Sequence, residues 1–137
     1  MLFRSWHLTT VTAEHAVLRL MDGGVWVAQV TVTPWTSAKK GEHLSAEQFQ
    51  HDMRTSVGWR PERVLQSGEI PAEGGRWMYR LSEIGQLNGV TVLQNFYLVA
   101  GPGGEQVVLT FTLAPKMADK LGARDLTVAA SIEVPAK

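Results

Sequence analysis

The sequence predicts a single α+β domain built mainly from an antiparallel β-sheet. Segments with alternating or β-branched apolar residues occur in both halves of the chain, and one amphipathic helix with a clear start separates them. A segment with helical spacing closes the chain. Strands in consecutive runs, rather than in strict alternation with helices, are typical of the α+β class. The predicted order is three strands, a helix, four strands and a C-terminal helical segment.

Three strands are predicted at 3–12, 16–21 and 25–33, where apolar and β-branched residues dominate. Asp22-Gly23-Gly24 separates the second from the third and supplies the positive φ of a tight hairpin turn, so these two strands should be antiparallel neighbours. After Pro34, the polar sequence TSAKKGEH predicts the longest surface connection.

Three signals place the start of the helix at Ser45. Ser45 is a favourable N-cap, Gln48 has the spacing of a capping box, and Leu44 with Phe49 has the spacing of a hydrophobic staple. The expected apolar stripe is Ala46, Phe49, Met53 and Val57. Gly58 is then expected to end a helix of about three turns.

Four more strands are predicted at 63–70, 75–83, 90–100 and 106–113. The strand at 90–100 is apolar on both faces, which predicts a central position covered on both sides. The glycine-rich segment 101–104 resembles a phosphate loop, but it leads into the β-run QVVLTF without a lysine. It therefore predicts a hairpin turn.

The C-terminal segment begins with Pro115, which suits the first turn of a helix, and Gly122 can end that turn. A second helix is predicted at 124–131. Its apolar residues also fit a strand, so both possibilities stay open from the pattern alone.

Composition limits the function classes. The chain has 13 basic and 13 acidic residues, no cysteine and 45% hydrophobic residues. A neutral balance argues against nucleic-acid binding, which depends on clustered cations. No segment has the roughly 20 apolar residues of a membrane span, so we expect one soluble domain over 1–137. The composition does not identify a cellular compartment, and it is compatible with an excised piece of a larger or exported protein.

The chain resembles the PsbP-like superfamily, whose fold is shared with a Ran-binding nuclear import factor and bacterial envelope proteins. The resemblance spans roughly residues 25–132 and rests on Gly75, Tyr79, Tyr97, Val99 and the strand 107–112. It implies a central twisted antiparallel sheet of about six to seven strands with helices packed on both faces. The resemblance also implies that the domain carries out no enzyme chemistry.

No catalytic, metal or cofactor site is expected from the residues themselves. The histidines His7, His15, His43 and His51 lack the spacing of a helical metal pair. Ser45 is explained as an N-cap, and no Gly-x-Ser-x-Gly elbow occurs. The carboxylates show no sign of an acid–base pair.

The leading hypothesis is a non-catalytic binding or assembly domain that presents a sheet and loop surface to a protein partner. The candidate contact residues are Trp35, Lys39, Lys40, Trp59 and Arg60, because large aromatics at loop positions are enriched at binding surfaces. Either tryptophan could instead seal the core, and we expect sealing for Trp59 and exposure for Trp35. The alternative is a small-ligand or enzyme domain with a pocket between sheet and helix. Its polar groups would come from Arg76, Tyr79, Arg80 and Tyr97.

Overall fold

A computed structural model describes residues 6–11, 16–22, 25–35 and 37–131. The strands are β1 Trp6–Val11, β2 Ala16–Asp22, β3 Val25–Trp35, β4 Trp59–Ile70, β5 Trp77–Leu87, β6 Val90–Ala100 and β7 Gln106–Leu113. The helices are α1 Ala46–Arg54, a 3₁₀ turn Pro115–Met117, α2 Ala118–Leu121 and α3 Arg124–Ser131. The predicted order of elements is confirmed, and the segment at 124–131 is a helix. The predicted start of the first strand, the turn glycines Gly23 and Gly24, and His15 lie outside the described residues.

All described strands join one antiparallel sheet in the order β1-β2-β3-β7-β6-β5-β4. The last strand, β7, lies between β3 and β6, with Val30 opposite Phe111 and Tyr97 opposite Leu109. On one side of β7 the order is β1-β2-β3, and on the other it is β6-β5-β4, so neighbouring strands within each group are consecutive in the sequence. The predicted hairpin between β2 and β3 is confirmed, because Asp22 pairs with Val25.

Apolar side chains cover both faces of the sheet. On the face that carries α1, here called the α1 face, Phe49 and Met53 pack with a cluster that includes Leu81, Phe96 and Leu98. On the opposite face, the α3 face, the buried residues are Tyr97, Val99, Leu109, Phe111, Leu121, Val128 and Ala129, among others. Alternate residues of β6 therefore enter the two clusters, as a period of two requires. Both the central position of β6 and the helices on both faces are confirmed.

The predicted N-cap is present, whereas the predicted helix end is wrong. Ser45 Oγ accepts a hydrogen bond from the Gln48 backbone N–H at 3.1 Å. The helix ends at Arg54, and Ser56 Oγ donates to the Asp52 carbonyl at 3.1 Å. This side-chain bond satisfies a carbonyl of the last turn locally. Val57 therefore lies beyond the helix and is fully exposed, at 101% of its reference area.

Replacing Ser45 with alanine is expected to lower the free energy of unfolding by about 1 kcal/mol, because one N–H of the first turn loses its acceptor. Urea denaturation of the two proteins measures this difference. Ser45→Asp is the matched control, since it keeps an acceptor oxygen at the cap and should retain most of the stability. Equal denaturation midpoints for the alanine variant and the parent would show that the cap contributes nothing.

Three strands are at least two residues longer than predicted. β3 continues through Pro34 to Trp35, β5 reaches Leu87, and β4 begins at Trp59 rather than at Arg63. Pro61 is tolerated in β4 because β4 pairs only with β5 in the described sheet, and an edge strand needs fewer backbone donors. Opposite it, a Cβ on Gly85 would overlap the Arg60 carbonyl oxygen, so glycine permits this close approach.

The glycine-rich segment 101–104 is the predicted hairpin turn between β6 and β7. Gly101 N–H donates to the Glu105 carbonyl at 2.8 Å. The long polar loop lies on this turn, with Ala38 N–H donating to Gly104 O at 2.8 Å and Gly41 N–H to Pro102 O at 2.9 Å. Gly104 has a φ of 93°, and a Cβ there would overlap the Ala38 carbonyl oxygen. The loop is therefore fixed by main-chain contacts.

Candidate functional site

A groove of about 420 Å³ lies on the α1 face of the sheet. α1 has only 9 residues. A helix of that size is about 14 Å long, whereas a sheet of this many strands is about 29 Å wide. α1 packs over β5 and β6, where the Phe49 ring meets the Tyr79 ring edge-on at a centroid distance of 6.0 Å. The neighbouring surface of β3 and β7 is left open, and the groove occupies it.

Uncharged polar side chains form the floor of the groove. The floor residues are Gln29, Thr31, Thr33, Gln94, Thr110 and Thr112. The strand register aligns them in rows across the sheet, with Gln29, Thr112 and Gln94 in one row. Thr112 Oγ1 donates to Gln94 Oε1 at 2.8 Å within that row. The floor therefore combines hydroxyl and amide groups on adjacent strands without any net charge.

Aromatic and apolar side chains form the wall, which runs from the end of α1 into β4. Trp59 is 7% exposed and meets Phe96 edge-on at a centroid distance of 6.3 Å. Met53, Val57 and Trp35 also line the groove. Trp35 is partly buried and packs on the apolar cluster of the α1 face. All groove-lining residues within the described ranges are uncharged.

One buried carboxylate supports this wall. Glu83 is 0% exposed, and its Oε2 lies 2.9 Å from Arg54 Nε in an ion pair that is not aligned as a hydrogen bond. Trp59 Nε1–H donates to Glu83 Oε1 at 3.4 Å, a long contact. Burial raises the pKa of Glu83 above its usual value, while Arg54 and the indole N–H partly oppose that rise.

The structure brings together two of the residues proposed to contact a partner. Trp35 and Trp59 both line the groove, although both lie in strands rather than in loops. Lys39, Lys40 and Arg60 are exposed and do not line it. The aromatic pair is thus part of a concave site, and the cations lie on the surrounding surface.

The four residues proposed for an alternative pocket do not form one site, and only Arg80 and Tyr97 come together. Tyr79 lies on the α1 face, where its OH accepts a hydrogen bond from Gln50 Nε2 at 2.6 Å. Arg76 precedes β5, and its Nε donates to the Glu73 carbonyl at 3.2 Å. Arg80 and Tyr97 lie on the α3 face, beneath α3. None of the four lines the groove.

Arg80 and Tyr97 belong to a buried polar network around Asp125, which is 1% exposed. Tyr97 OH donates to Asp125 Oδ2 at 2.7 Å, Asn95 Nδ2 donates to the same oxygen at 2.9 Å, and Arg80 NH2 lies 3.5 Å from it. Ser82 Oγ donates to Asn95 Oδ1 at 2.5 Å. Burial first, and Asp125 second, raise the pKa of Tyr97, so its hydroxyl remains a hydrogen-bond donor. The network fastens α3 to the sheet.

No protein-family model and no curated protein sequence matches the chain. Solved structures do match. The solution structure of cyanobacterial PsbP (CyanoP) from Synechocystis sp. PCC 6803 superposes with a TM-score of 0.67 at 15% identity, covering 96% of this chain and 83% of that one. This chain has the PsbP-like fold.

Two further structures share the PsbP-like fold of this chain. PA94 from Pseudomonas aeruginosa, described as a protein of unknown function and putative regulator, has a TM-score of 0.64 at 11% identity, covering 96% of this chain and 99% of that one. A protein from Bacteroides thetaiotaomicron has a TM-score of 0.58 at 12% identity, and the match covers 97% of this chain but 43% of that one. At such identities the likeness establishes the fold alone.

The sequence alone did not predict the polar groove floor, the buried carboxylate of Glu83 or the buried network around Asp125 in this PsbP-like fold. The available signal was a polar residue at an inward position of an otherwise apolar strand, as with Glu83 and Gln94. Across the described ranges, no group of three or more histidine, aspartate or glutamate side chains is placed to hold a metal ion. Nor is any helix in those ranges long and apolar enough to cross a membrane.

Proposed function

We propose that the protein is a non-catalytic binding domain whose groove holds an uncharged segment of a partner protein. The observation that carries this proposal is the open groove of about 420 Å³ with a neutral floor and an aromatic wall. Its volume lies in the range of roughly 300–1,000 Å³ that is common for binding pockets. Tryptophan and other aromatic residues are enriched at protein interfaces.

The lining determines the chemistry of the occupant. Moving a charged group into a largely desolvated groove is costly unless a partner charge meets it, and the described lining offers none. Threonine hydroxyls and glutamine amides can both donate and accept hydrogen bonds. They suit backbone groups and neutral side chains, while Trp35, Trp59 and Phe96 suit apolar ones.

The same lining supports a non-catalytic role. General acid–base and nucleophilic catalysis use a titratable group, or a hydroxyl activated by an adjacent base. The described groove-lining residues include threonines and Ser56, and none of these lining residues is titratable. A small neutral ligand is the second candidate occupant, because the groove volume also fits a molecule of that size.

Peptide display tests the proposal. Random peptides would be selected on the parent protein and counter-selected on Thr110→Lys, which places a cation in the floor. Thr91→Lys is the matched control, since Thr91 is exposed on β6 and does not line the groove. We expect enriched peptides to lack charged residues and to bind Thr110→Lys at least tenfold more weakly than the control.

Enrichment of charged peptides, or equal binding to both variants, contradicts the proposal. The neutral fluorescent probe N-phenyl-1-naphthylamine separates the two candidates. If the probe binds the parent protein saturably and loses affinity in Thr110→Lys while no peptide is enriched, the small-ligand function replaces the partner-protein function.

A further inference from the structure

Glu83 is an unusual residue for its position in the sheet. It follows the buried Tyr79 and Leu81 in the alternation of β5 on the α1 face, where an apolar side chain is the ordinary choice. Instead, a carboxylate with 0% exposure lies between β4 and β6. Removing a carboxylate from water costs free energy that one partner on the surface only partly offsets.

The carboxylate connects two separate parts of the groove wall. Arg54 belongs to the last turn of α1, next to the groove residue Met53, and its Nε lies 2.9 Å from Glu83 Oε2. Trp59 belongs to β4 and directs its indole N–H to the other oxygen at 3.4 Å. The end of α1 and the indole ring thus have one buried anchor in common.

The charged form of Glu83 does not stabilise the fold. Burial raises its pKa above the usual 4.5. The carboxyl group of Glu83 therefore binds a proton more tightly in the folded state than in the unfolded state. The contribution of Glu83 to stability is largest at low pH and falls as pH rises through the folded-state pKa. Ionising Glu83 therefore costs the folded state free energy. Stability given up beside a binding site is expected where a residue serves function.

We infer that Glu83 is a positioning residue of the groove, whose ionised carboxylate sets the orientation of the Trp59 ring and of the end of α1. Its effect on binding rests on the proposed function of the groove. Arg54 is the charged group that faces Glu83 from α1. The residues opposite Glu83 on β4 and β6 are Val64 and Gln94, which are uncharged.

Nuclear magnetic resonance of the indole N–H groups tests the positioning directly. The Trp59 signal is identified by its loss in Trp59→Phe. In the parent protein we expect this signal to titrate once, with a midpoint above 4.5. In Glu83→Gln it should be displaced at neutral pH and should no longer titrate. A Trp59 signal that is the same in both proteins at every pH overturns the inference.

Arg54 provides a second variant that does not alter the buried position. Arg54→Lys should keep the titration, whereas Arg54→Ala should move its midpoint upward, because the cation lowers the pKa of Glu83. Identical midpoints in the parent protein and Arg54→Ala would contradict the inference even if Glu83→Gln failed to fold.

The affinity for N-phenyl-1-naphthylamine separates this inference from the proposed function. We expect Glu83→Gln to bind the probe at least fivefold more weakly than the parent protein at neutral pH. Equal affinities would overturn the role in binding. If the parent protein binds neither probe nor peptide while the Trp59 signal still responds to Glu83, the proposed function fails and the positioning stands.

Discussion

Replacing Asp125 with alanine is expected to lower the free energy of unfolding by about 3–5 kcal/mol, the usual penalty for removing one partner of a buried ion pair. Asp125 Oδ2 accepts hydrogen bonds from Tyr97 OH and Asn95 Nδ2 and pairs with Arg80. Without it, these donors and a largely buried cation would remain beneath α3 with no acceptor. Each unsatisfied buried donor adds its desolvation cost.

Urea denaturation measures this loss. Asp119→Ala is the matched control, because Asp119 is an exposed carboxylate on the neighbouring α2 and should change stability by no more than about 0.5 kcal/mol. Asp125→Asn keeps an acceptor oxygen while removing the charge, and we expect an intermediate loss. If the Asp125→Ala and Asp119→Ala proteins unfold at the same urea concentration, α3 is not held by this network.

Replacing Trp59 with alanine is expected to cost about 3–5 kcal/mol, as for other buried large aromatics. The ring is 7% exposed, packs edge-on against Phe96, and supplies one of the contacts to Glu83. Its removal leaves a cavity between β4 and the α1 face. Thermal or urea unfolding gives the difference from the parent protein.

Trp35→Ala is the comparison for Trp59→Ala, because Trp35 lines the same groove but is only partly buried. We expect it to cost clearly less stability than Trp59→Ala while still weakening probe binding. Should Trp59→Ala be as stable as Trp35→Ala, the Trp59 ring would not belong to the core. The structure supports core sealing for Trp59. Trp35 packs partly on the core and also lines the groove, so it combines features of core sealing and of an exposed contact surface.

The fold was predictable where local pattern and long-range packing agree. β6 alternates apolar residues on both faces, and the sheet places it between β7 and β5 under both apolar clusters. The Ser45 cap is a local signal and was equally visible. The helix end was not, because Gly58 also favours helix termination, whereas the helix ends at Arg54 and Ser56 Oγ bonds to the Asp52 carbonyl of its last turn.

The site was predictable only in part. Trp35 and Trp59 could be singled out as large aromatics at predicted loop positions, but the threonines of the floor are ordinary strand residues. Only the register of β3, β7 and β6 turns them into one surface. The partners of Glu83 and Asp125 are equally hidden, since Arg54 and Arg80 reach them through packing between elements distant in sequence.

The position of β7 in the sheet has a consequence for synthesis of the chain. β3 and β6 each pair with β7, which is the last of the described strands to leave the ribosome. Until it does, the nascent chain holds two incomplete sheets whose inner edges have free backbone groups, and such edges promote aggregation. Pairing Gln29 with Thr112 spans most of the chain, and contacts of this separation slow folding. Closure of the single sheet therefore waits for β7 and is a late step in the folding of this domain.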